Sequence, residues 1–408
     1  MESAKLVAAA ARITRDVGVA EELAQDALVT ALERWPVAGI PDKPAAWLMG
    51  TVKHKAIDRV RRNVTYERKQ EELAREEQVH SDDQPDWDEA LDDPIGDDLL
   101  RLIFIACHPV LSADARVALT LRLLGGLSTD EIARAFLAAE PTVAQRIVRA
   151  KRTLAREQIP FELPEEPELA NRLSSVLEVI YLIFNEGYAA TSGERWYRGE
   201  LCDEALRLGR ILAELAPGEP EVHGLVALME IQASRLRART DRRGRPVRLL
   251  DQDRSRWDRL LIRRGLKALE RSWAMGGPPG PYALQAAIAA CHARALTAEE
   301  TDWIEIVRLY EELARVAPSP VVQLNRAVAV GMAQGPAAGL GLVERLADEP
   351  LLSQYHLLPS VRGDLLERLG RMEDASREFE KAAQLTRNEA EKQLLLERVE
   401  ACRGQIPS

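Results

Sequence analysis

The spacing of its apolar residues constrains the fold of this chain more than any other feature. Through most of its 408 residues they recur three and four positions apart, while long runs of alternating Val, Ile and Thr are missing. The first pattern places apolar side chains on one face of a helix, and alternation would be needed for half-buried strands. A chain of this length also exceeds what one hydrophobic core usually serves. The sequence therefore predicts an all-α protein of several domains.

The net charge of −10 is concentrated in one segment. Residues 63–98 hold fourteen acidic residues against Arg68, Lys69 and Arg75, a balance of about −11, so the rest of the chain is close to neutral. From His80 to Asp98 the segment is polar and broken by two prolines, and such sequence cannot bury enough apolar surface to fold alone. We predict an acidic flexible linker at 63–98, whose first part can continue as a charged helix.

Composition divides the remaining chain into three helical domains, at residues 1–62, 99–158 and 169–408. The first is predicted to hold three helices. Its second helix, Ala20–Trp35, carries Leu23, Ala27, Leu28, Ala31 and Leu32 as an apolar face. The loop 36–44 contains three prolines and a glycine, which break a helix.

A weak internal repeat marks the C-terminal domain. Leu365–Leu385 (LLERLGRMEDASREFEKAAQL) places a glycine between two amphipathic helices, with small residues where they cross. This pattern resembles the tetratricopeptide unit. Val321–Leu346 and Leu201–Ser234 look like further, more degenerate units. We predict a tetratricopeptide-like helical repeat domain, with an unrelated helical bundle as the alternative.

The strongest local signal for function lies between Gly125 and Leu154. Ser128 is followed three residues later by Glu131, which is the spacing of a capping box, and Pro141 stands at the start of the next helix. The outer face of that helix is polar and basic, with no acid between Thr142 and Ala155. These features predict a helix-turn-helix whose second helix enters the major groove of DNA. The alternative is an ordinary helical hairpin with a solvated basic face.

The DNA-contacting residues of this second helix are predicted from their positions. Three side chains near its N-terminal end are placed to reach base edges: Thr142, Gln145 and Arg146. Three further along are placed to hold phosphates: Arg149, Lys151 and Arg152.

A second basic helix is predicted at Trp47–Arg62 (WLMGTVKHKAIDRVRR). Its apolar side begins with an aromatic residue, and basic residues crowd the polar side. This arrangement suits a DNA strand that is held by its backbone with its bases splayed out. The candidate DNA-binding residues are Lys53, Lys55, Asp58, Arg59, Arg61 and Arg62. Taken alone, such a helix is more often a solvated face.

Together these segments resemble the extracytoplasmic-function sigma factors, which direct RNA polymerase to promoters. Ala20–Trp35 (AEELAQDALVTALERW) looks like the helix of sigma region 2 that grips the polymerase clamp. Trp47–Arg62 is similar to the adjacent minus-ten-binding helix, and Gly126–Leu154 to region 4, which reads the minus-thirty-five element. Leu177–Tyr188 (LEVIYLIFNEGY) and Leu250–Asp258 (LDQDRSRWD) resemble the subgroup with a C-terminal tetratricopeptide-like extension.

The resemblance implies core RNA polymerase and promoter DNA as partners. The polymerase-binding candidates on the second helix are Glu21, Glu22, Gln25 and Asp26. The repeat domain is expected to hold a peptide, a protein partner or the sigma domains themselves, and to inhibit or support initiation. Two departures stand out: a short first helix, beginning at Met1, and Asp241–Arg245 in place of an acidic, glycine-rich turn.

Other functional classes find little support in the sequence. It contains no nucleophile elbow, phosphate-binding glycine loop or zinc-protease motif, so no enzymatic activity and no cofactor are expected. The four cysteines are far apart, Asp251, Asp253 and Asp258 are expected to form salt bridges with neighbouring arginines, and no metal site is predicted. No apolar run approaches the roughly 18 residues that span a bilayer, and a cytoplasmic protein is expected. The alternative function is a one-component helix-turn-helix regulator with a sensory repeat domain, which would have no use for Ala20–Arg62.

Overall fold

A computed structural model describes residues 2–74, 95–136, 138–164, 166–190, 192–194 and 196–405. Within these residues the chain is almost wholly helical, which confirms the all-α prediction. The chain divides into two compact units, Met1–Ile180 (unit 1) and Tyr181–Ser408 (unit 2). No described helix is long and apolar enough to cross a membrane.

Unit 1 contains the N-terminal helices, and helix α8 begins in unit 1 and ends in unit 2. The helices are α1 (Glu2–Thr14), α2 (Val17–Ala38), α3 (Pro44–Ala74), α4 (Ile95–Ala106), α5 (Ala113–Leu123), α6 (Thr129–Ala135), α7 (Glu140–Arg156) and α8 (Glu166–Tyr188). Helix α1 lies at the centre, in contact with α2, α3, α4 and α5. Its alanines at positions 8–11 are buried, and such small side chains let the neighbouring helices approach closely.

Two helix ends in unit 1 differ from the sequence prediction. Helix α2 does not stop before Pro36 but continues to Ala38. Pro36 lacks the N–H that would bond to the Leu32 carbonyl, yet the helix continues for two more residues, and the Gly39 amide closes the last turn on the Trp35 carbonyl at 3.0 Å. Helix α3 continues past Arg62 to Ala74, in agreement with the charged continuation that we allowed for. The rest of the predicted linker, residues 75–94, lies outside the described residues.

The predicted apolar face of α2 is wrong in part. The buried positions are Val17, Ala20, Glu21, Ala24, Ala27 and Ala31. Leu32, predicted as a core residue, is instead 75% exposed. The alanine-rich face turns inward because it fits the alanines of α1 at short distance, which leaves the larger leucines at the edge of the contact or in solvent.

Unit 2 is a succession of helices in which each packs against the next. They are α9 (Gly199–Leu215), α10 (Pro220–Ala233), α11 (Arg259–Ala274), α12 (Pro281–Arg294), α13 (Trp303–Val316), α14 (Pro320–Ala333), α15 (Pro336–Glu344), α16 (Leu357–Arg368), α17 (Met372–Leu385) and α18 (Glu389–Gly404). Two short strands, β1 (Ser192–Gly193) and β2 (Arg387–Asn388), pair in parallel.

The helix–glycine–helix pattern predicted at Leu365–Leu385 is present as α16, a turn and α17. Gly370 occupies the turn with a φ of +75°, a conformation that side chains other than glycine rarely adopt. Gly363 lies against the Phe379 ring, where an added Cβ would come within 2.6 Å of the ring. The glycine at this crossing therefore lets the two helices pack at close range.

Contrary to the prediction, two of the three aspartates at 251–258, Asp253 and Asp258, form no salt bridge with a neighbouring arginine within the described residues. The Asp253 carboxylate accepts a hydrogen bond from the Ser255 amide, and Asp258 caps α11 by accepting from the amides of Leu260 and Leu261. Asp251 pairs with Arg248 at 2.7 Å. Short-range capping prevails because the amides at a helix start need acceptors that aspartate supplies without a long side chain.

Candidate nucleic-acid and polymerase interface

The predicted helix-turn-helix is present in α6 and α7. The Ser128 amide donates to the Glu131 carboxylate at 2.7 Å, and the Glu131 amide donates to the Ser128 hydroxyl at 3.1 Å. This reciprocal pair is the predicted capping box, and it fixes the start of α6. Pro141 lies in the first turn of α7, as predicted. The inner face of α7 is buried at Val143, Ile147, Ala150 and Leu154, so the opposite face of the helix is turned outward.

The outward face of α7 carries most of the predicted DNA-binding residues. Four of them are exposed: Thr142, Gln145, Arg149 and Arg152. Arg146 is half-buried and pairs with Asp114 at 3.0 Å. An open groove of about 420 Å³ runs between this face and the start of α5. Side chains of this kind on one face of a helix are able to contact phosphates and base edges together.

Lys151 is placed differently from its neighbours on α7. Its ammonium group pairs with the Glu21 carboxylate of α2, and the same carboxylate accepts a hydrogen bond from the Arg122 Nε at 2.6 Å. Glu21 is buried although we predicted it as a polymerase contact. The structure thus joins two predicted sites, one for polymerase and one for DNA, in a single ion cluster, Glu21–Arg122–Lys151.

Arg122 was missed by sequence reasoning. It is a lone charged residue near the end of α5, a helix whose other residues in that turn are buried and uncharged. A charged residue in such a position is expected to have a partner of opposite charge. That partner, Glu21, lies 101 residues earlier in the chain, so the sequence around Arg122 does not identify it. The Arg122 guanidinium also donates to the Leu127 carbonyl, which ties the cluster to the start of the helix-turn-helix.

The basic helix α3 leaves most of its predicted DNA-binding residues exposed. Leu48, Val52 and Ala56 are buried against the rest of unit 1. Four of the candidates are exposed: Asp58, Arg59, Arg61 and Arg62. The remaining two, Lys53 and Lys55, are half-buried. At the start of α3 the Trp47 ring meets Trp35 of α2 edge to face, with centroids 5.6 Å apart, which fixes the angle between the two helices.

The outer face of α2 combines polar and apolar side chains. The predicted contacts Glu22, Gln25 and Asp26 are exposed. Further along, Leu32, Val37 and Ile40 are exposed by 75%, 90% and 71%. Exposed apolar residues that follow one another along a helix end are typical of a surface that meets another protein. Sequence reasoning missed these residues because it assigned Leu32 to the core and placed Val37 and Ile40 in the loop 36–44.

Within the part of the chain that the structure describes, the cysteines and acidic residues show no metal-binding arrangement. Among the described residues no group of three or more His, Cys, Asp or Glu side chains is placed to hold a metal ion. All four cysteines are buried. Burial raises the pKa of Cys107 to about 11 and that of Cys202 to about 12, so these thiols stay protonated at neutral pH.

Comparison with known proteins connects these helices to described families. Residues 2–65 match Sigma-70 region 2, residues 101–154 match Sigma-70, region 4, and residues 172–273 match a family of unknown function, DUF6596. The first match ends within α3, and the second includes the helix-turn-helix. A relative from Rhizobium meliloti (strain 1021), described as "Uncharacterized protein R00370", is 45% identical over 384 residues, which is 93% of this chain and 89% of the relative.

Proposed function

The chain carries regions 2 and 4 of the sigma-70 factors, and on that premise we propose that it is an initiation factor of the extracytoplasmic-function type that directs core RNA polymerase to specific promoters. Regions 2 and 4 together support a sigma-factor-like role in transcription initiation, and they imply that the protein binds core polymerase and promoter DNA. The observation that carries the proposal is the capped helix-turn-helix with exposed Gln145, Arg149 and Arg152, joined in one unit to region 2.

In this proposal α7 reads the upstream promoter element. Thr142, Gln145 and Arg146 lie in its first half, where a recognition helix meets base edges, and Arg149 and Arg152 lie where phosphates pass. The Arg146–Asp114 pair is largely exposed on the Asp114 side, so little free energy is needed to exchange the carboxylate for DNA.

Helix α2 supplies the proposed polymerase contact, and α3 the contact with the opened minus-ten strand. The exposed apolar residues Leu32, Val37 and Ile40 offer a surface whose burial would favour docking, and Glu22 and Asp26 add negative charge beside it. The exposed basic residues of α3 support the second role, because they provide charge for a DNA backbone beside the aromatic pair at its start.

The ion cluster Glu21–Arg122–Lys151 has a consequence for this mechanism. While Glu21 holds Lys151, that ammonium group is not available to a phosphate. We expect the cluster to separate, or to exchange partners, when α7 engages DNA on the polymerase. The contact between α2 and α7 would then belong to the protein before promoter binding.

Unit 2 is proposed to act as a tetratricopeptide-like regulatory domain. Its succession of paired helices with glycines at their crossings supports that interpretation. Stacked helix pairs of this kind offer an extended surface for a peptide or a protein. Comparing the full chain with a chain that lacks unit 2 shows whether this domain inhibits or supports initiation.

The test is run-off transcription with purified core polymerase on a promoter library. The full chain should initiate at a defined set of promoters, and Leu32→Ser should weaken both core binding and initiation. Ile304→Ser is the matched control, because Ile304 is equally exposed, at 77%, but lies on unit 2. A chain ended at Tyr188, with its helical content checked by circular dichroism, gives the sign of the effect of unit 2.

Two outcomes would overturn the proposal. If the full chain neither binds core polymerase nor directs initiation while it still binds DNA, the one-component regulator takes its place. If Leu32→Ser and Ile304→Ser reduce core binding equally, the exposed end of α2 is not the polymerase contact.

A further inference from the structure

Two arginines of unit 2 are buried side by side just after helix α10. Arg235 and Arg239 are 7% and 6% exposed. The Tyr188 ring lies 3.8 Å from the Arg239 guanidinium and 5.6 Å from that of Arg235. Trp196 lies 5.3 Å from Arg239, and Trp257 lies 5.7 Å from Arg235. Three aromatic rings therefore enclose two positive charges.

These two charges lack the counter-charge that buried arginines normally have. No carboxylate of the described residues lies within salt-bridge distance of either guanidinium. Arg239 donates instead to the Tyr188 carbonyl, and Arg235 to the Gln232 side-chain oxygen, both of them neutral acceptors. Cation–π contacts offset only part of the cost of removing a guanidinium from water. The pair is thus left with uncompensated positive charge.

Two other buried charges of unit 2, Arg198 and Glu230, have partners of opposite charge. Glu186 pairs with the neighbouring Arg198. The buried carboxylate of Glu230 pairs with Arg210 at 2.9 Å and with Arg264 at 3.3 Å. Arg254 has no carboxylate partner among the described residues either, and it donates to neutral acceptors, the His292 and Ala295 carbonyls and the Thr301 hydroxyl. The lack of carboxylates is therefore a feature of this part of unit 2.

The unpartnered hydrogen-bonding groups at the cluster are mainly donors. The Nε of Arg235 and the indole N–H groups of Trp196 and Trp257 are buried, and none of them has an acceptor among the described residues. Next to Trp257 lies a third buried arginine, Arg254, whose Nε is also unpartnered. Buried donors are nearly always paired in folded proteins, so a group of them around two cations indicates a missing acceptor that carries negative charge.

A neighbouring histidine responds to the same positive charge. Burial, followed by Arg235 and Arg254, lowers the pKa of His292 to about 3. The His292 ring therefore stays neutral and adds no further positive charge. Burial lowers the pKa of Arg239, and the neighbouring Arg235 guanidinium acts in the same direction.

We infer that Arg235 and Arg239, with the indole N–H groups of Trp196 and Trp257, form a binding site for the oxyanion of a small molecule, either a carboxylate or a phosphate. Guanidinium groups match both anions with paired N–H donors, and the indoles complete the set. The Tyr188, Trp196 and Trp257 rings would cover the apolar remainder of the ligand. Such a site would make unit 2 a sensor for an anionic metabolite, and it does not depend on the proposed role in transcription.

The test measures binding of inorganic phosphate and of acetate or succinate to the full chain, by calorimetry and by tryptophan fluorescence, with chloride at equal ionic strength as the reference. We expect saturable binding of one anion class to a single site. Arg235→Met should raise Kd about tenfold or more, since a charged donor is lost. Arg242→Met is the matched control, because Arg242 is exposed in the adjacent turn, and it should leave Kd unchanged.

A second variant separates ligand binding from folding. Trp257→Phe keeps an aromatic ring beside Arg235 but removes the indole N–H, and it should weaken binding while helical content stays the same. Saturation by phosphate alone or by carboxylates alone identifies the ligand class. The inference is overturned if neither anion binds more than chloride does, or if Arg235→Met and Arg242→Met bind alike.

Discussion

Replacing Glu21 with Gln removes the negative charge that Arg122 and Lys151 share. The substitution keeps the size of the side chain and an oxygen that accepts hydrogen bonds, so the packing of α2 against α5 and α7 is preserved. What changes is that two cations then face a neutral amide in a partly buried contact. We expect the contact between α2 and α7 to open more often.

The magnitude follows from the exposure of the three side chains. Removing one partner of a fully buried ion pair costs about 3–5 kcal/mol. The Glu21 side chain is 9% exposed, but Arg122 and Lys151 remain 24% and 22% exposed. Because water reaches both cations, we expect a smaller loss of about 2–3 kcal/mol. This loss corresponds to a roughly 30- to 150-fold rise in the equilibrium constant for separating the two helices.

Amide hydrogen exchange of the full chain, read by mass spectrometry, measures this opening directly. Peptides from α2 and α7 should exchange faster in Glu21→Gln, whereas peptides from α16 and α17 should not change. Glu22→Gln is the matched control, because Glu22 is the next residue on the same helix and is exposed. If the two substitutions accelerate exchange equally, or if neither does, the ion cluster does not hold α2 to α7.

Three further predictions test unit 1 and unit 2. Ile147→Ala should leave a cavity inside the helix-turn-helix and lower the free energy of unfolding in urea by about 2–5 kcal/mol. Val148→Ala is the control, because Val148 is exposed, and it should lower this free energy by less than about 0.5 kcal/mol. Equal losses would contradict the orientation of α7. Arg149→Ala should weaken DNA binding to all sequences alike, and in anisotropy titrations it should reduce the slope of the logarithm of the binding constant against the logarithm of the salt concentration by about 1. An unchanged slope would count against a phosphate contact. His292 has a folded-state pKa of about 3, below its unfolded value, so the unfolded chain takes up a proton first as the pH falls. The contribution of His292 to the free energy of unfolding of unit 2 should therefore be fully present above about pH 6.5, and this free energy should fall by up to about 1.4 kcal/mol per pH unit below it. Thermal unfolding at a series of pH values measures the slope. If His292→Gln shows the same slope as the unchanged protein, the prediction is refuted.

Local patterns in the sequence determined the helix-turn-helix. The Ser128–Glu131 capping box, Pro141 in the first turn of α7 and the buried face at Val143 and Ile147 all lie where the sequence predicts them. Each depends on residues within a few positions of one another, since caps and helical periodicity are short-range effects. The exposed basic faces of α3 and α7 follow from the same periodicity.

Only the tertiary structure decided which surfaces remain available and which charges meet. The face that α2 buries depends on the alanines of α1, so periodicity alone placed Leu32 in the core when it is exposed. Glu21 and Arg122 are 101 residues apart, and Tyr188 and Arg239 are 51 apart. No local pattern encodes such pairs, because a buried charge is satisfied by whatever the packed chain brings beside it. The sequence by itself thus determines the helices and their chemical faces, whereas the ion cluster of unit 1 and the buried arginine pair of unit 2 exist only through long-range packing.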